Sequence, residues 1–192
     1  MRSWRYLLIV VLAAASFLPA GAEAPGVRSL EASQGEGHIL MLRHALAPGF
    51  GDPDGFKIGD CATQRNLNDR GRMQAAAIGD WLRKKGVASA RVFSSQWCRC
   101  LETAELLELG PVTELPALNS FYELTQNREP NLKALREFIA AQPATGGLII
   151  TVTHQVTISA MTDLYVSSGE GVVLKLNWNA AYDVIGRIDF VD

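Results

Sequence analysis

The segment that most constrains the fold is 39–42, an apolar run that leads directly into Arg43 and His44. A strand of a parallel sheet that is covered on both faces is a nearly continuous hydrophobic run, because both of its sides are buried. Glycine and proline follow at once and turn the chain away. The pattern therefore predicts a buried strand, 38–43, and in open α/β sheets ligands bind just beyond the carboxyl ends of such strands.

A second segment has the same organisation. The β-branched run 148–153 ends directly at His154. If the two strands are parallel neighbours, His44 and His154 lie at the same edge of the sheet. An arginine next to an imidazole at such an edge suits a phosphate, because arginine binds phosphate as a fork and imidazole acts as a nucleophile or carries protons.

A third segment places an arginine at the start of a helix. The strand 91–94 is followed by Ser95, which we expect to cap a helix running to about residue 108. Arg99 falls in the first turn of that helix, where its positive charge opposes the helix dipole. Free amides at a helix start with an arginine close by form an anion site, and a bound anion would favour Arg99 at this position.

Strands alternate with helices along the rest of the chain. The helical periods and caps predict helices over 68–85, 95–108, 132–141 and 156–164, and the apolar runs predict strands over 38–43, 91–94, 112–115, 148–153, 172–176 and 181–190. This alternation predicts an α/β three-layer sandwich with helices on both faces of the sheet. The adjacent late strands predict a mixed, mostly parallel sheet.

The N-terminal residues have the three regions of a secretory signal peptide. Arg2 and Arg5 precede the apolar run 6–18, and the small residues 20–22 provide a cleavage site. The run is shorter than the ~18 residues that a spanning helix needs. We therefore expect cleavage after residue 22 and no stable membrane insertion afterwards; the alternative is an uncleaved anchor.

Three parts of the chain follow from this: a signal peptide, 1–22, a flexible polar lead-in, 23–37, and a single domain, 38–192. The expected location is periplasmic or secreted. The formal net charge is −2, and the longest basic run is 83–85. The chain therefore lacks the electrostatic footprint of a nucleic-acid-binding protein.

Three cysteines remain in a chain expected to be exported: Cys61, Cys98 and Cys100. In an oxidising compartment, three cysteines most simply form one disulfide and leave one free thiol. Two cysteines separated by a single residue rarely bond to each other. The bridge is therefore Cys61–Cys98 or Cys61–Cys100. Neither the Cys-x-Cys pair nor the two aspartates at 52 and 54 complete a metal-ligand pattern, so we expect no metal and no cofactor.

Four blocks together resemble a known family. They are 42–45 (Leu-Arg-His-Ala), 67–75, 94–104 (Ser-Ser-x-x-x-Arg-x-x-x-Thr-Ala) and 152–154 (Val-Thr-His). These blocks occur in the order found in the histidine phosphatase (phosphoglycerate-mutase-like) superfamily, and the likeness spans about 38–176. The chain resembles a small, exported branch of that superfamily.

The resemblance implies roles for four residues. His44 would be the nucleophile that forms a phosphohistidine, Arg43 and Arg99 would grip the phosphoryl oxygens, and His154 would complete the pocket. Phosphoryl transfer depends mostly on positioning and charge stabilisation, which these residue types supply without a metal. Water would then hydrolyse the phosphohistidine.

The chain departs from the family pattern at several positions. Ala45 replaces the usual glycine, which is tolerable if its φ is negative, and Asn68 replaces the usual threonine cap. The usual acid of the family is missing; Glu123 is the candidate general acid, ahead of Glu114. Arg65 is a further candidate for binding phosphate.

The sequence therefore predicts an exported, metal-independent phosphatase that hydrolyses a phosphomonoester or a phosphoprotein. Its partner would be a phosphorylated small molecule or an envelope component. A chain of this size leaves little room for a cap domain, so we expect an open pocket, which favours an accessible phosphate on a larger molecule. The alternative is a phosphate-binding module of the same fold with little or no turnover, and a mutase and a metal-binding protein are further alternatives. Neither the substrate nor the oligomeric state follows from the sequence.

Overall fold

A computed structural model of the chain describes residue 30, residues 36–179 and residues 181–190. The predicted signal peptide, 1–22, and most of the predicted lead-in, 23–37, lie outside these residues. Leu30, which belongs to that lead-in, is buried and packs into the hydrophobic core. The rest of the description concerns residues 36–179 and 181–190.

The six strands form one mixed sheet. They are β1 (His38–Arg43), β2 (Arg91–Ser94), β3 (Val112–Glu114), β4 (Ile149–Thr153), β5 (Gly171–Leu176) and β6 (Tyr182–Ile188). The sheet order is β3-β2-β4-β1-β5-β6. The first four strands of that order are parallel to one another, and β5 and β6 add two antiparallel strands at one edge. The prediction of a mixed, mostly parallel sheet is confirmed.

Helices cover both faces of this sheet. They are α1 (Asp69–Lys84), α2 (Cys98–Leu106), α3 (Arg128–Ala140) and α4 (Gln155–Thr162). Successive residues of β1 point to opposite faces: Leu40 and Leu42 pack with α1 and α2, while Ile39 and Met41 pack with α3 and α4. The three-layer α/β sandwich is confirmed. None of the helices in the described residues is both long and apolar enough to span a membrane.

The capping residues in the sequence predict the start of some helices correctly and of others incorrectly. In α1, the side chain of Asn68 accepts a hydrogen bond from the amide of Gly71, as its capping role predicts. The prediction that Ser95 caps α2 is wrong, because α2 begins only after Trp97 and the Ser95 hydroxyl faces His154 instead. The third helix begins at Arg128, four residues earlier than predicted. Proline is tolerated in the first turn of a helix, so Pro130 does not delay its start.

The pairing of β1 with β4 positions the two histidines. These neighbouring strands are parallel, and Arg43 lies opposite Thr153. His44 and His154 each follow directly, so both lie at the carboxyl edge of the sheet. The start of α1 packs tightly against the segment after His44, because a Cβ added at Gly71 would lie 2.1 Å from the carbonyl oxygen of Leu46.

Candidate active site

A pocket of about 310 Å3 opens at the carboxyl edge of the parallel strands. The structure brings every predicted site residue to its lining: Arg43, His44, Arg65, Arg99, Glu123 and His154. Glu114, the less favoured acid, does not line it; the Glu114 carboxylate accepts a hydrogen bond from Gln96 at 3.0 Å. The predicted residues therefore share one site even though they come from five separate segments of the chain.

The imidazole of His44 is held as a neutral base. Its Nδ1 lies 2.7 Å from the carbonyl oxygen of Ala45, so Nδ1 carries the proton and donates it. Within the described residues Nε2 has no hydrogen-bond partner. Burial, and then the positive charge of Arg99, lowers the pKa of His44 to about 3. At neutral pH the lone pair on Nε2 is therefore available for attack.

Ala45 fits the position where the family has glycine. Among the described non-glycine residues only Glu108 and Asp163 have positive φ, so the backbone of Ala45 needs no glycine. Its amide donates to the hydroxyl of Thr103 at 3.0 Å. This bond ties the residue after His44 to α2.

His154 is a second buried, neutral imidazole. Its Nε2 lies 2.9 Å from Ser95 Oγ and 3.5 Å from Cys100 Sγ. Its ring centroid is 5.6 Å from that of His44 and 5.3 Å from that of Trp97. Burial and the charge of Arg99 lower the pKa of His154 well below its usual value. The contacts with Ser95, Cys100 and Trp97 fix its ring in the pocket wall.

Arg99, which is buried, and Arg43, which is half-buried, each have a buried N–H donor without a partner in the described residues. Arg43 donates from its Nη1 to the carbonyl oxygen of Val166 at 2.9 Å, yet its Nε has no partner. The Nε of Arg99 is also buried without a partner, and the Arg99 side chain is only 3% exposed. An unpaired buried donor is costly. Both side chains line the pocket and so place two positive charges beside a phosphoryl group bound there.

Arg65 is a third cation at the pocket. Its Nε donates to the carbonyl oxygen of Gly51 at 2.7 Å, and its Nη1 donates to that of Ala47. Burial, and then the charge of Arg99, lowers the pKa of Arg65 from its normal value of 12.5. The backbone contacts anchor the side chain to the loop that follows β1.

Asp52 is the site residue that the sequence analysis missed. Its two carboxylate oxygens accept from Nη1 and Nη2 of Arg99 at 2.8 and 3.0 Å, in a fork that is nearly inaccessible to solvent. The same carboxylate accepts from Trp97 Nε1 and from the amide of Arg65. Burial alone would raise the pKa of Asp52, but these hydrogen bonds lower it below its usual value. The carboxylate therefore stays ionised.

This fork changes the expected role of Arg99. The anion that accompanies Arg99 in the first turn of α2 is the carboxylate of Asp52, which occupies both terminal nitrogens. The first amide of α2, that of Cys98, donates to the side chain of Gln64 at 3.0 Å. The predicted anion site on the α2 amides is therefore wrong at this amide, and Arg99 lines the pocket as a cation that is paired with Asp52.

Glu123 lies at the mouth of the pocket and is exposed. Its Oε1 accepts a hydrogen bond from the amide of Asp52 at 2.8 Å. A Cβ added at Gly51 would lie 2.3 Å from this oxygen, so the glycine leaves room for the carboxylate. Glu123 and Asp52 are the two carboxylates of the pocket, and Glu123 is the one that solvent reaches.

The structure distinguishes between the two disulfides that the sequence left open. Cys61 and Cys98 are bonded, and Cys100 is free and buried. Burial raises the pKa of the Cys100 thiol to about 12, so it is not a nucleophile at neutral pH. The disulfide joins the loop that carries Asp52 and Arg65 to the first residue of α2. In the described residues, no group of three or more His, Cys, Asp or Glu side chains is placed to hold a metal ion.

Parts of the chain are similar in sequence to known proteins. Residues 39–128 match the model of the histidine phosphatase superfamily (branch 1). A segment of 70 residues is 33% identical to the mitochondrial serine/threonine-protein phosphatase Pgam5 of Drosophila virilis, covering 36% of this chain and 22% of that protein. The match thus spans about a fifth of that relative's length.

Solved structures share the fold. The protein histidine phosphatase SixA complexed with tungstate aligns with a TM-score of 0.57 and 14% identity, over 80% of this chain and 97% of that one. A mycobacterial glucosyl-3-phosphoglycerate phosphatase aligns with a TM-score of 0.53 and 16% identity, over 77% of this chain and 96% of that one. At these identities the likeness establishes a common fold.

Proposed function

We propose that the chain is a phosphatase that hydrolyses phosphomonoesters through a phosphohistidine on His44; the match of residues 39–128 to the model of the histidine phosphatase superfamily supports this. The observation that carries the proposal is that Arg43, Arg65 and Arg99 line one pocket together with the neutral imidazole of His44. These three cations attract an anionic tetrahedral group, and the free lone pair of His44 gives the bound group a nucleophile.

The reaction has two displacements. In the first, Nε2 of His44 forms a bond to phosphorus while the ester P–O bond breaks, and the electron pair leaves with the ester oxygen. Glu123, when protonated, supplies the proton that this oxygen takes up. In the second, water attacks phosphorus, the P–N bond breaks, and its electron pair returns to Nε2. The ionised Glu123 carboxylate receives the proton of the attacking water.

The charges of the pocket suit a phosphoryl group. Arg43, Arg65 and Arg99 contribute three positive charges, and Asp52 and Glu123 contribute two negative ones when ionised. A phosphate ester brings ~ −1.5 to −2. The bound complex is therefore close to neutral, which favours binding while allowing phosphate to leave after hydrolysis.

The proposal includes an exported site of action. The Cys61–Cys98 disulfide supports it, because such bonds persist in oxidising compartments and are rare in the cytosol. The basic and apolar N-terminal residues, 1–22, support it from the sequence. A phosphorylated small molecule, an envelope component or a phosphoprotein outside the cytoplasm would then be the substrate.

The test compares the wild-type protein with His44→Ala on a panel of phosphomonoesters. We expect hydrolysis by the wild type, a loss of about 10³-fold or more in the variant, and an acid-labile phosphoryl group on His44 in quenched wild-type reactions. Activity that survives in His44→Ala would refute the proposal. If vanadate binds but no ester is hydrolysed, the chain is a phosphate-binding module of the same fold.

A further inference from the structure

The mouth of the pocket carries three exposed aromatic side chains, which we call the aromatic rim: Phe50, Tyr122 and Tyr165. Their exposed fractions are 99%, 62% and 74%. In the described residues the only other large aromatic side chain this exposed is Trp178, at 87%. Exposed rings gathered around one cleft mark a contact surface, whereas single ones need no explanation.

Each ring of the aromatic rim adjoins a residue that contacts the phosphate-binding groups. The carbonyl oxygen of Gly51, next to Phe50, accepts from Nε of Arg65 at 2.7 Å. The carbonyl oxygen of Val166, next to Tyr165, accepts from Arg43 at 2.9 Å. The rings therefore come from two different loops, each tied to an arginine of the pocket floor.

The third ring is held in the same way. Tyr122 lies between Phe121, which is buried, and Glu123, whose carboxylate accepts from the amide of Asp52. Its own amide donates to the hydroxyl of Ser120 at 3.2 Å. The backbone of Tyr122 is thereby fixed beside the loop that pairs with Arg99.

The charges are separated along the depth of the pocket. All of its cations, Arg43, Arg65 and Arg99, are in the floor, and the only charged residue at the mouth is Glu123. A second phosphate or another anionic group on the substrate would meet this carboxylate and no cation. The part of the substrate that lies against the mouth therefore carries no further negative charge.

The size of the pocket limits that part to one ring. Pockets for small molecules span roughly 300–1,000 Å3, and this one, at about 310 Å3, is at the lower end. A phosphoryl group and a single planar ring fill such a volume. The rings of the aromatic rim suit a planar ring, because aromatic pairs stack or meet edge to face.

A phenol is also a leaving group that departs with little help from a proton donor. A phenol has a pKa near 10, whereas water, which resembles an aliphatic alcohol, is near 15.7. The departing phenolate oxygen therefore needs less help from a proton donor, and Glu123 is exposed and already accepts a backbone hydrogen bond. The P–O bond to the ring breaks, its electron pair stays on the phenolate oxygen, and that oxygen takes its proton from Glu123 or from water.

We infer that the site selects phosphate monoesters of phenols, with the departing ring held against the aromatic rim of Phe50, Tyr122 and Tyr165. The inference rests on the proposed phosphatase function and specifies its substrate class. The phenol can belong to a small aryl phosphate or to a phosphotyrosine side chain of a peptide; both carry the same chemistry to the rim.

The test compares kcat/KM for phenyl phosphate and methyl phosphate in the wild type and in a variant with Phe50→Ala, Tyr122→Ala and Tyr165→Ala. The difference in reactivity between the two leaving groups is the same for the wild type and the variant. A change in the ratio of kcat/KM for phenyl phosphate to kcat/KM for methyl phosphate therefore reports contacts with the ring. We expect a loss of roughly 3- to 10-fold per ring for phenyl phosphate and less than 2-fold in total for methyl phosphate. The matched control is Trp178→Ala, which should change neither value.

Binding separates this inference from the proposed function. Phenylphosphonate and methylphosphonate are not hydrolysed, so their Kd values report contacts with the rim even if the protein has no turnover. A rim-dependent preference for phenylphosphonate without hydrolysis would overturn the proposed function and keep the substrate class. Equal losses for the phenyl and methyl compounds, or no loss for either, would overturn the inference.

The source of the phenol is tested by adding a phosphotyrosine peptide to the comparison. A kcat/KM for the peptide above that for free phosphotyrosine indicates a protein substrate, and the reverse indicates a small aryl phosphate. The three substituted side chains are exposed, so the melting temperature of the variant should match that of the wild type. If the substitutions in the aromatic rim lower kcat/KM for neither the peptide nor free phosphotyrosine, the inference is contradicted.

Discussion

At the scale of the residue, Asp52 determines how Arg99 meets a substrate. A guanidinium group has five N–H donors; the carboxylate fork uses one on each terminal nitrogen and the carbonyl oxygen of Arg65 accepts another from Nη1, so one N–H of Nη2 and that of Nε remain. The fork prevents Arg99 from rotating to bind a phosphate with its end, which is its usual bidentate geometry. Asp52 is therefore a positioning residue that acts through Arg99.

Asp52→Asn tests this role. The amide has the same size but loses the charge, so Arg99 is no longer fixed, and we expect kcat to fall about 10-fold or more while KM changes little. Breaking a buried pair also costs roughly 3 kcal/mol of stability, which thermal unfolding would measure. The matched control is Asp54→Asn, an exposed aspartate of the same loop, with less than 2-fold change in either constant. A rise in kcat/KM for Asp52→Asn would contradict the positioning role.

The histidines of the site could be predicted from the sequence, and Asp52 could not. His44 and His154 follow long apolar runs, and a buried strand is what such runs form. The partner of Asp52 lies 47 positions further along the chain, so no local pattern connects the two. Two aspartates in a loop rich in glycine are typical of a turn, and only the folded loop brings one of them to Arg99.

At the scale of the element, the loop between β1 and α1 supplies much of the pocket without regular secondary structure beyond one 3₁₀ turn, Cys61–Thr63. It carries Phe50, Asp52 and Arg65. A loop of this kind holds its geometry through specific bonds, and the Cys61–Cys98 disulfide fastens it to α2 directly before Arg99. The disulfide therefore aligns the residues on both of its sides.

Reduction of this disulfide should weaken both stability and activity. In the chain-entropy model, a bond that closes a loop of 37 residues contributes about 3 to 4 kcal/mol. We expect the double variant Cys61→Ser, Cys98→Ser to lose about that much free energy of unfolding in urea, and kcat/KM to fall as the loop moves. Dithiothreitol should reproduce both effects in the wild type and change nothing in the double variant. Full activity in the double variant would show that the loop keeps its geometry without the disulfide.

Secondary structure could be predicted better in some elements than in others, for physical reasons. The helix α1 has a cap, an apolar stripe of Ala75, Ile78 and Leu82, and a basic end, and all of these predictions are confirmed. The helix α2 starts later than predicted, at Cys98, and the Ser95 hydroxyl contacts His154 and Asn119 as well as the amide of Trp97. Competition between local and tertiary hydrogen bonds cannot be read from a single segment.

At the scale of the whole molecule, the buried histidines make the fold sensitive to acid. The chain has three histidines, and the pKa of each is lowered in the folded state, chiefly by burial. In the unfolded chain their pKa returns to about 6.5. Below that pH the unfolded state binds more protons than the folded state, so stability is full above it and falls as the pH falls.

We expect the free energy of unfolding to decrease between pH 7 and pH 5, by up to about 1.4 kcal/mol per pH unit for each histidine that stays neutral in the fold. Urea unfolding at several pH values in this window measures the slope, and the window lies above the range in which carboxylates titrate. In His44→Asn, the slope of the free energy of unfolding against pH should decrease by the contribution of close to one proton. An unchanged slope in that variant would mean that His44 titrates alike in the folded and unfolded chain.

The parallel pairing of β1 with β4 has a consequence for the order in which the molecule is made. Arg43 and Thr153, which lie opposite each other, are 110 residues apart in the chain, and contacts of such long range form slowly because a large loop must close first. His44 therefore meets His154 only after α1, α2, α3 and the strands between them have been synthesised. An unfinished chain contains the proposed nucleophile but not its pocket, so phosphate chemistry would start only when this late contact has closed.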